Sequence, residues 1–598
     1  MKSRGLSLIT AIAIGLSSSF GIGLGTAKAD SPSVTVNTKQ NIRPNVSNSA
    51  DDHVASGGLY GISDENTPTA SLLSPLKPTT FTQAPPDGMQ VGKGAGQFNN
   101  VAPLVHQIGA KQIVRLADIY DQWPYNFSNE QDWLAKVKKM VQSAQNSDYA
   151  NDIYGYELWN EPNGNWQGAH GSNPNGTWGD FYKIWDDTYH IVKEHAPDAK
   201  IVGPSLSYYN DNWLKAFLAH AKAAGTLPDI ISWHQWSAAG FKNSVAALDS
   251  LEDSLGITRR KISINEYAAP QELAVPGQMI HYIQNFENAP ELDSADLAFW
   301  FNYGRMDNLL TDQQKPNGGY WLYKWYADMS GQLDETSTYQ SNGDFSSLAN
   351  TTTDKSKTSV IFGGTNGAIT VKITGLAANV YDRSAHVTLE ETPWYGVDTP
   401  VSEPNIAANG VFSIENDSIS VSINNLKKSS AYRLVVTPSS NAATNTLQYT
   451  PKSPSDPIRV EAENSTLSGK AVVNTASYAS ANQFVGTIDT SESGVTFTVN
   501  APTAGQYTVE VGYANGPLNK QSTTATDKVT LNGELLSDIV FPPTIGWTNT
   551  VVPSNNTGTR QIVQYGTVTL KQGENTLTLS KDTNYAELDY AQFTLLKH

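Results

Sequence analysis

The sequence predicts a multidomain protein: a (β/α)8 TIM barrel with an attached β-sandwich, followed by a C-terminal β-sandwich of jelly-roll type. Three observations carry this. Between residues 56 and 332 eight short apolar runs alternate with stretches of helical period. Strands that alternate with helices pair in parallel, and eight such units close a barrel. From residue 333 onward helical period gives way to short runs that alternate residue by residue, the pattern of strands with one buried face. At 598 residues the chain is also too long for a single hydrophobic core.

The elements follow in order. Residues 1–29 read as a signal peptide: Lys2 and Arg4 open it, a small-apolar run spans Leu6 to Leu24, and Ala27–Ala29 fits an A-x-A site, with cleavage after Ala29. The expected location is therefore outside the cell or in a periplasm. Residues 30–55 form a linker with one strand-like piece, "SVTVN", a candidate extra strand for the sandwich. The eight barrel runs begin at residues 58, 79, 112, 154, 200, 229, 261 and 297, the last being "LAFWFNYG". Helical period is clearest over 129–145 and 211–225. The accessory sandwich occupies 333–438. Residues 439–457, rich in Ser, Asn and Pro and without apolar period, read as a linker. Residues 458–598 make the last sandwich.

Composition narrows the class. There is no cysteine, so an exported chain relies on large cores or bound metal. The net charge is −17, and loss of Lys2, Arg4 and Lys28 with the signal takes it to −20. That argues against nucleic acid and anionic membranes as partners. Fourteen Trp and 27 Tyr supply flat amphipathic faces that fill cores and stack on sugar rings.

Two carboxylates stand out. In "YELWNEPN" Glu161 closes the fourth barrel run, with Glu157, Trp159 and Glu161 expected on one face by strand alternation. In "ISINEY" Glu266 closes the seventh. The C-terminal ends of barrel strands build active sites, and strands four and seven face each other across the barrel. Two carboxyl groups across a cleft are what glycosidic hydrolysis needs, one protonated as acid and one ionised as nucleophile. A neighbouring negative charge is expected to raise the pKa of the acid. Arg115 lies on an otherwise apolar run, so it requires a buried partner, and an active-site carboxylate is the natural one. Trp123 and Trp166 sit in loops after strands and are candidates for binding further sugars.

"ELWNEPN" and "ISINEY" resemble the acid/base and nucleophile strands of the clan A retaining glycoside hydrolases, and "LPDIISWHQW" makes the chain most similar to glycoside hydrolase family 39. The resemblance implies Glu161 as acid/base and Glu266 as nucleophile. It implies Asn160 on the sugar 2-hydroxyl, His234 and Trp236 beside the nucleophile, and Trp300 as platform under the cleaved sugar. A core histidine and plain packing are the alternatives for His234 and Trp300.

"IRVEAENSTLSG" and "YAELDYAQFTL" resemble carbohydrate-binding modules of families 6 and 35. This implies a structural calcium held by Glu461, Glu463 and Asp589, and a glycan site drawing on Tyr513, Asn515, Trp547 and Asn584. No cofactor is expected for catalysis. The expected activity is a secreted retaining β-glycosidase acting on a polysaccharide or its oligosaccharides, with exo-acting β-xylosidase-like action favoured. The alternatives are an endo-acting β-glycanase of a neighbouring clan A family and a non-catalytic glycan-binding protein.

Overall fold

The computed structural model describes residues 32–596, apart from 43–52, 90–93, 301–302, 312, 332, 341–344, 398, 451–456, 477–478, 517–522, 545, 548–550, 553–556 and 559. The signal reading falls on residues outside that range. Among the described residues no helix is long and apolar enough to cross a membrane.

Eight parallel strands close the barrel: Gly57–Leu59, Thr80–Gln83, Lys111–Arg115, Ile153–Glu157, Lys200–Leu206, Ile230–Gln235, Lys261–Tyr267 and Leu292–Leu297. The helices begin and end where local chemistry dictates. Asn129 caps Glu130–Gln145 by accepting from Asp132 N, and Glu130 and Asp132 place acid at the positive end. Asn210 caps Asp211–Ala224 in the same way through Trp213 N, and Gly225 at φ +76° ends it.

The eighth strand lies earlier than the sequence predicts. It is "LDSADL", and Ala298, Phe299 and Trp300 lie beyond its end. The strand is polar on its barrel face: Asp296 accepts from Thr80 Oγ1 at 2.7 Å and Thr82 Oγ1 at 2.5 Å, and Ser294 pairs with Ser263. Polar groups that satisfy one another across strands carry no apolar signal in any one strand, so the aromatic run after it looks more strand-like.

The accessory domain is a ten-stranded sheet with its own core. Ser33–Asn41 lies within it, antiparallel to Leu333–Tyr339 and parallel to Gly367–Thr374, which gives "SVTVN" its strand role. The predicted linker is shorter than 439–457. Gln448–Tyr449 pairs with Asn405–Ser413, and Thr444, Asn445 and Thr450 donate backbone bonds to that strand. The C-terminal domain packs two sheets around a third core, with Ile458–Glu461 antiparallel to Glu587–Leu595.

Candidate active site

The site forms where strands three, four, six and seven end. Arg115 closes strand three, fully buried. Its Nε lies 2.9 Å from Oε1 of Glu157, and Nη1 donates to Oε1 of Glu266 at 2.8 Å. Strand four ends at Glu157, so strand alternation does not continue to Glu161. Trp159 turns instead into a cluster with Tyr125, Trp133 and Trp166. Glu161 adopts φ 52°, ψ 44°, left-handed backbone uncommon outside glycine. Its N–H donates to Ser205 O at 2.8 Å, and its carbonyl accepts from Gly164 N and Asn165 N at 3.0 and 2.9 Å. Those bonds hold the turn against its strain.

His234, on strand six and buried, stands between the two glutamates. Nδ1 is 3.2 Å from Glu161 Oε1 and Nε2 is 3.5 Å from Glu266 Oε1. Burial pushes the imidazole towards its neutral form, but Glu266 and Glu161 outweigh burial and raise its pKa above 6.5. Burial likewise pushes Glu161 up. The contact with His234 and its charge, Arg115 and the Trp123 indole overcome that and hold the carboxyl below its ordinary range. This corrects the expectation of a raised acid at Glu161. A cationic ring between the carboxylates reverses the sign that two neighbouring negative charges alone would give. Glu157, fully buried, is raised by burial with Arg115 as its main opposing charge.

A second layer positions the first. Asn160 Nδ2 donates to Tyr125 OH at 3.1 Å, and Asn160 O accepts from Asn165 Nδ2 at 2.9 Å. Tyr125 OH donates to Asp118 Oδ1 at 3.0 Å, and Tyr60 OH to Asp118 Oδ2. Burial pushes Asp118 up to about 7 against the Arg115 charge. The Asn160 side-chain oxygen is buried and has no hydrogen-bond partner among the described residues, leaving an acceptor for a bound hydroxyl. Trp236 and Trp300 pack 5.2 Å apart, with indole N–H groups fixed to Ser207 O at 2.6 Å and Ala268 O at 3.0 Å. Both are half-buried.

Two of the predicted aromatics divide. Trp123 stands exposed at the mouth beside Glu161. Trp166 is fully buried, its N–H donating to Gly179 O at 3.0 Å, so it serves the core and does not bind sugar. Sequence reasoning missed Asp307. It lies in the loop after strand eight, where Met306, Asp307 and Asn308 all take positive φ (46°, 48° and 66°). It is buried, with neither carboxylate oxygen hydrogen-bonded among the described residues, and burial with the Asp296 and Glu266 charges pushes its pKa well up. A Cβ on Gly58 would lie 2.7 Å from its Oδ2, so the close approach of the first strand depends on glycine. "GRMDN" carried only the faint signal of Asp and Asn together, hidden by the misplaced eighth strand.

In the C-terminal domain Tyr513 and Asn515 are buried. Tyr513 OH donates to Pro542 O, and Asn515 Nδ2 to Thr523 O and Phe541 O, so they brace loops and do not face a ligand. Trp547 packs 4.8 Å from Tyr585, and Asn584 is exposed beside it at φ 54°. That trio leaves an aromatic face and an amide partly exposed together. At the other edge Glu461 and Glu463 are pushed up to about 7 and about 9 by burial and, for Glu463, by Glu461. Each has a buried oxygen without a hydrogen-bond partner among the described residues. Those two fit a hard cation. Asp589 as placed serves Arg560 at 2.7 Å and Ser480 N at 2.8 Å, and among the described residues no three acidic or imidazole groups converge as a metal site.

Comparison with known proteins agrees with this architecture. Residues 458–596 match the family-35 carbohydrate-binding module. A 3-O-α-D-galactosyl-α-L-arabinofuranosidase of Bifidobacterium longum subsp. longum is 30% identical over 537 residues, 76% of this chain and 46% of the relative. A 3-O-β-L-arabinopyranosyl-α-L-arabinofuranosidase of Bifidobacterium pseudocatenulatum is 27% identical over 454 residues, 64% of this chain and 46% of the relative. The chain thus spans about half the length of these relatives. The structure of N2152 from Neocallimastix frontalis matches with a TM-score of 0.62 and 31% identity, over 69% of this chain and all of that one. A glucosidase from Croceicoccus marinus shares the fold at a TM-score of 0.50 and 14% identity, over 68% of this chain and 99% of that one. Fold and comparisons define a multidomain TIM-barrel protein of the glycosidase type that carries a carbohydrate-binding module. The chain belongs to the family of the Neocallimastix frontalis protein N2152.

Proposed function

We propose that the protein is an exported, retaining, exo-acting glycoside hydrolase of family 39 that removes a sugar from a polysaccharide or its oligosaccharides. The observation that carries this is one imidazole spanning Glu161 and Glu266 while Arg115 holds Glu266 from the other side. Arg115 holds and orients Glu266 Oε1 at 2.8 Å for attack on the anomeric carbon. The C1–O bond breaks as Glu161 gives its one proton, which His234 3.2 Å away can supply to it, to the leaving oxygen and is left as a carboxylate. Ester formation removes the Glu266 charge, the strongest influence holding His234 protonated. Glu161 then takes a proton from water, which attacks C1 and breaks the ester. We assign to hydroxyls of the cleaved sugar Asn160, whose side-chain oxygen has no hydrogen-bond partner among the described residues, and Asp307, buried and close enough to feel the Glu266 charge.

The sequence reading favours β-xylosidase-like action, whereas both bifidobacterial relatives are named as α-L-arabinofuranosidases with a 3-O-glycosyl group. A β-D-xylopyranoside and an α-L-arabinofuranoside are both 1,2-trans glycosides, so one pair of carboxylates serves either. We favour the arabinofuranoside. The test is a panel of aryl glycosides that includes xylopyranosides, arabinofuranosides and 3-O-glycosylated arabinofuranosides, with NMR of the first-formed product. Hydrolysis of the arabinofuranosides with retained configuration is expected. Inversion at C1, or no hydrolysis across the panel, overturns the reading.

We also propose a calcium ion at Glu461 and Glu463, with Asp589 released to it from Arg560. Calcium should raise the melting temperature of the C-terminal transition of the full chain, since a ligand that binds only the folded state stabilises it. At 100 times Kd the gain is about 2.7 kcal/mol. Glu463→Gln should remove most of that shift. An equal shift in the variant rules these residues out as ligands.

A further inference from the structure

Residues 393–397, which follow the accessory strand Ser384–Thr392, lie between the barrel and the C-terminal module. One face of this segment belongs to the barrel core: Trp394 and Val397 are buried in that cluster. Asn317 ties the segment to the loop that carries Asp307. Its buried Nδ2 donates to Val397 O at 3.0 Å and to Asn308 O at 2.6 Å. Further on, Val401 N–H donates to Pro316 O at 2.8 Å, and Trp321 Nε1 to Val401 O at 2.7 Å. The other face meets the module. Arg459, on the module's strand Ile458–Glu461, has its guanidinium 4.8 Å from the Tyr395 ring centre and 3.6 Å from that of Tyr590. Nη1 donates to Tyr395 O at 2.8 Å, while Nε and Nη2 donate to Gln592 Oε1 at 3.1 and 2.9 Å. A Cβ on Gly396, at φ +104°, would stand 3.3 Å from Nη1 and Nη2 of Arg560, so a second arginine of the module lies against the segment.

We propose that Arg459 docks the module on the catalytic part and, through residues 393–397 and Asn317, holds the loop that carries Asp307, which makes it a positioning residue for the active site. This rests on the reading above, in which Asp307 binds a hydroxyl of the cleaved sugar. A module on a free tether would raise the local concentration of enzyme at a glycan and leave the barrel unchanged. The guanidinium argues against a free tether. Its flat fork bonds the module through Nε and Nη2 and the segment through Nη1. It also lies between one ring from each part, where a cation is drawn to the ring faces. Undocking would take that donor from Tyr395 O and part the two rings. The path to the active site is short. Val397 lies just beyond Tyr395, the Asn317 amide spans from Val397 O to Asn308 O, and Asn308 follows Asp307. Met306, Asp307 and Asn308 all sit at positive φ, so bonds from outside the loop keep them there.

Hydrogen exchange of the full chain tests the docking without any substrate. In Arg459→Ala the amides of Leu310, Asn317 and Val401, which donate to Arg305 O, Leu309 O and Pro316 O, should exchange about tenfold faster, as loss of one charge-assisted bond implies. Strand Gly505–Ala514 should keep its protection, which shows the module still folded. Arg459→Lys keeps a charge between the rings and should recover part of the protection. Gln592→Met leaves Arg459 in place without its acceptor in the module and should shift the same amides less. The kinetic test uses a small aryl glycoside from the panel above. Arg459→Ala should lower its kcat/KM about tenfold in the wild-type background and leave it unmoved in an Asp307→Asn background, because both changes act through one loop. Unchanged exchange at the three amides in Arg459→Ala, or an equal fall of kcat/KM in both backgrounds, overturns the proposal. If Arg459→Ala also strips protection from Gly505–Ala514, Gln592→Met decides, and no shift of the three amides there overturns it. If wild type hydrolyses nothing in the panel, the hydrolase reading fails, while the exchange result still decides the docking.

Discussion

If Glu266 is the nucleophile of the proposed mechanism, replacing it by alanine should lower turnover on every substrate by on the order of 10^4-fold or more, because the group that forms the ester is gone. Glu161→Ala should behave differently. Substrates with good leaving groups need no proton in the first step, so formation of the ester should persist and its hydrolysis should stall. Azide, small enough to enter the space left by Glu161, should then restore turnover and give a glycosyl azide of retained configuration. In Glu266→Ala azide should attack directly and give the inverted product. The identity of the azide product, read by NMR, assigns the two roles. If azide gives the inverted product with the Glu161 variant, the roles are exchanged.

Arg115→Met should produce the second large effect, on stability as well as rate. The guanidinium is buried and compensates both Glu157 and Glu266. Removing one partner of a buried pair costs about 3–5 kcal/mol, since the remaining charge stays in a low-dielectric interior. Burial already raises Glu157, and Arg115 is the main charge opposing it, so its pKa rises further in the variant. A carboxyl whose folded pKa exceeds its unfolded value loses stability as pH rises between the two. The deficit of Arg115→Met, measured by urea unfolding, should therefore be large at pH 7 and shrink as pH falls towards 4.5. Adding Glu157→Gln should recover part of the stability without recovering activity, because Glu266 still lacks its counter-charge. Equal stability of wild type and Arg115→Met at pH 7 would show that the pair contributes nothing.

The linear pattern along the chain carries most of the architecture. Strand and helix period and the switch to pure alternation after residue 333 are local properties, set by which side chains can face a core. That is why the barrel, both sandwiches and the start of the last domain at 458 are legible in the sequence, and why the family-35 module begins at that residue. Glu266 stands out for the same reason, because it lies near a strand end, whereas Glu161 stands out through "WNEPN" in a left-handed turn four residues beyond the end of its strand. The polar eighth strand is not, since Asp296 and Ser294 are satisfied by residues of other strands.

What only the tertiary structure decides is which charges and rings meet. The contact of Glu161 with His234 joins the turn after strand four to strand six, with Arg115 of strand three acting on both. No local pattern encodes it. Burial separates residues that the sequence treats alike. Trp123 reaches the mouth while Trp166 fills the core, and Trp547 keeps a face while Tyr513 braces a loop. Asp307 shows the same limit: a short loop with three successive left-handed residues sets a carboxyl beside Glu266, from a position 41 residues further along the chain. Side-chain type and period are written along the chain, but electrostatic environment depends on distances through space, and the fold creates those.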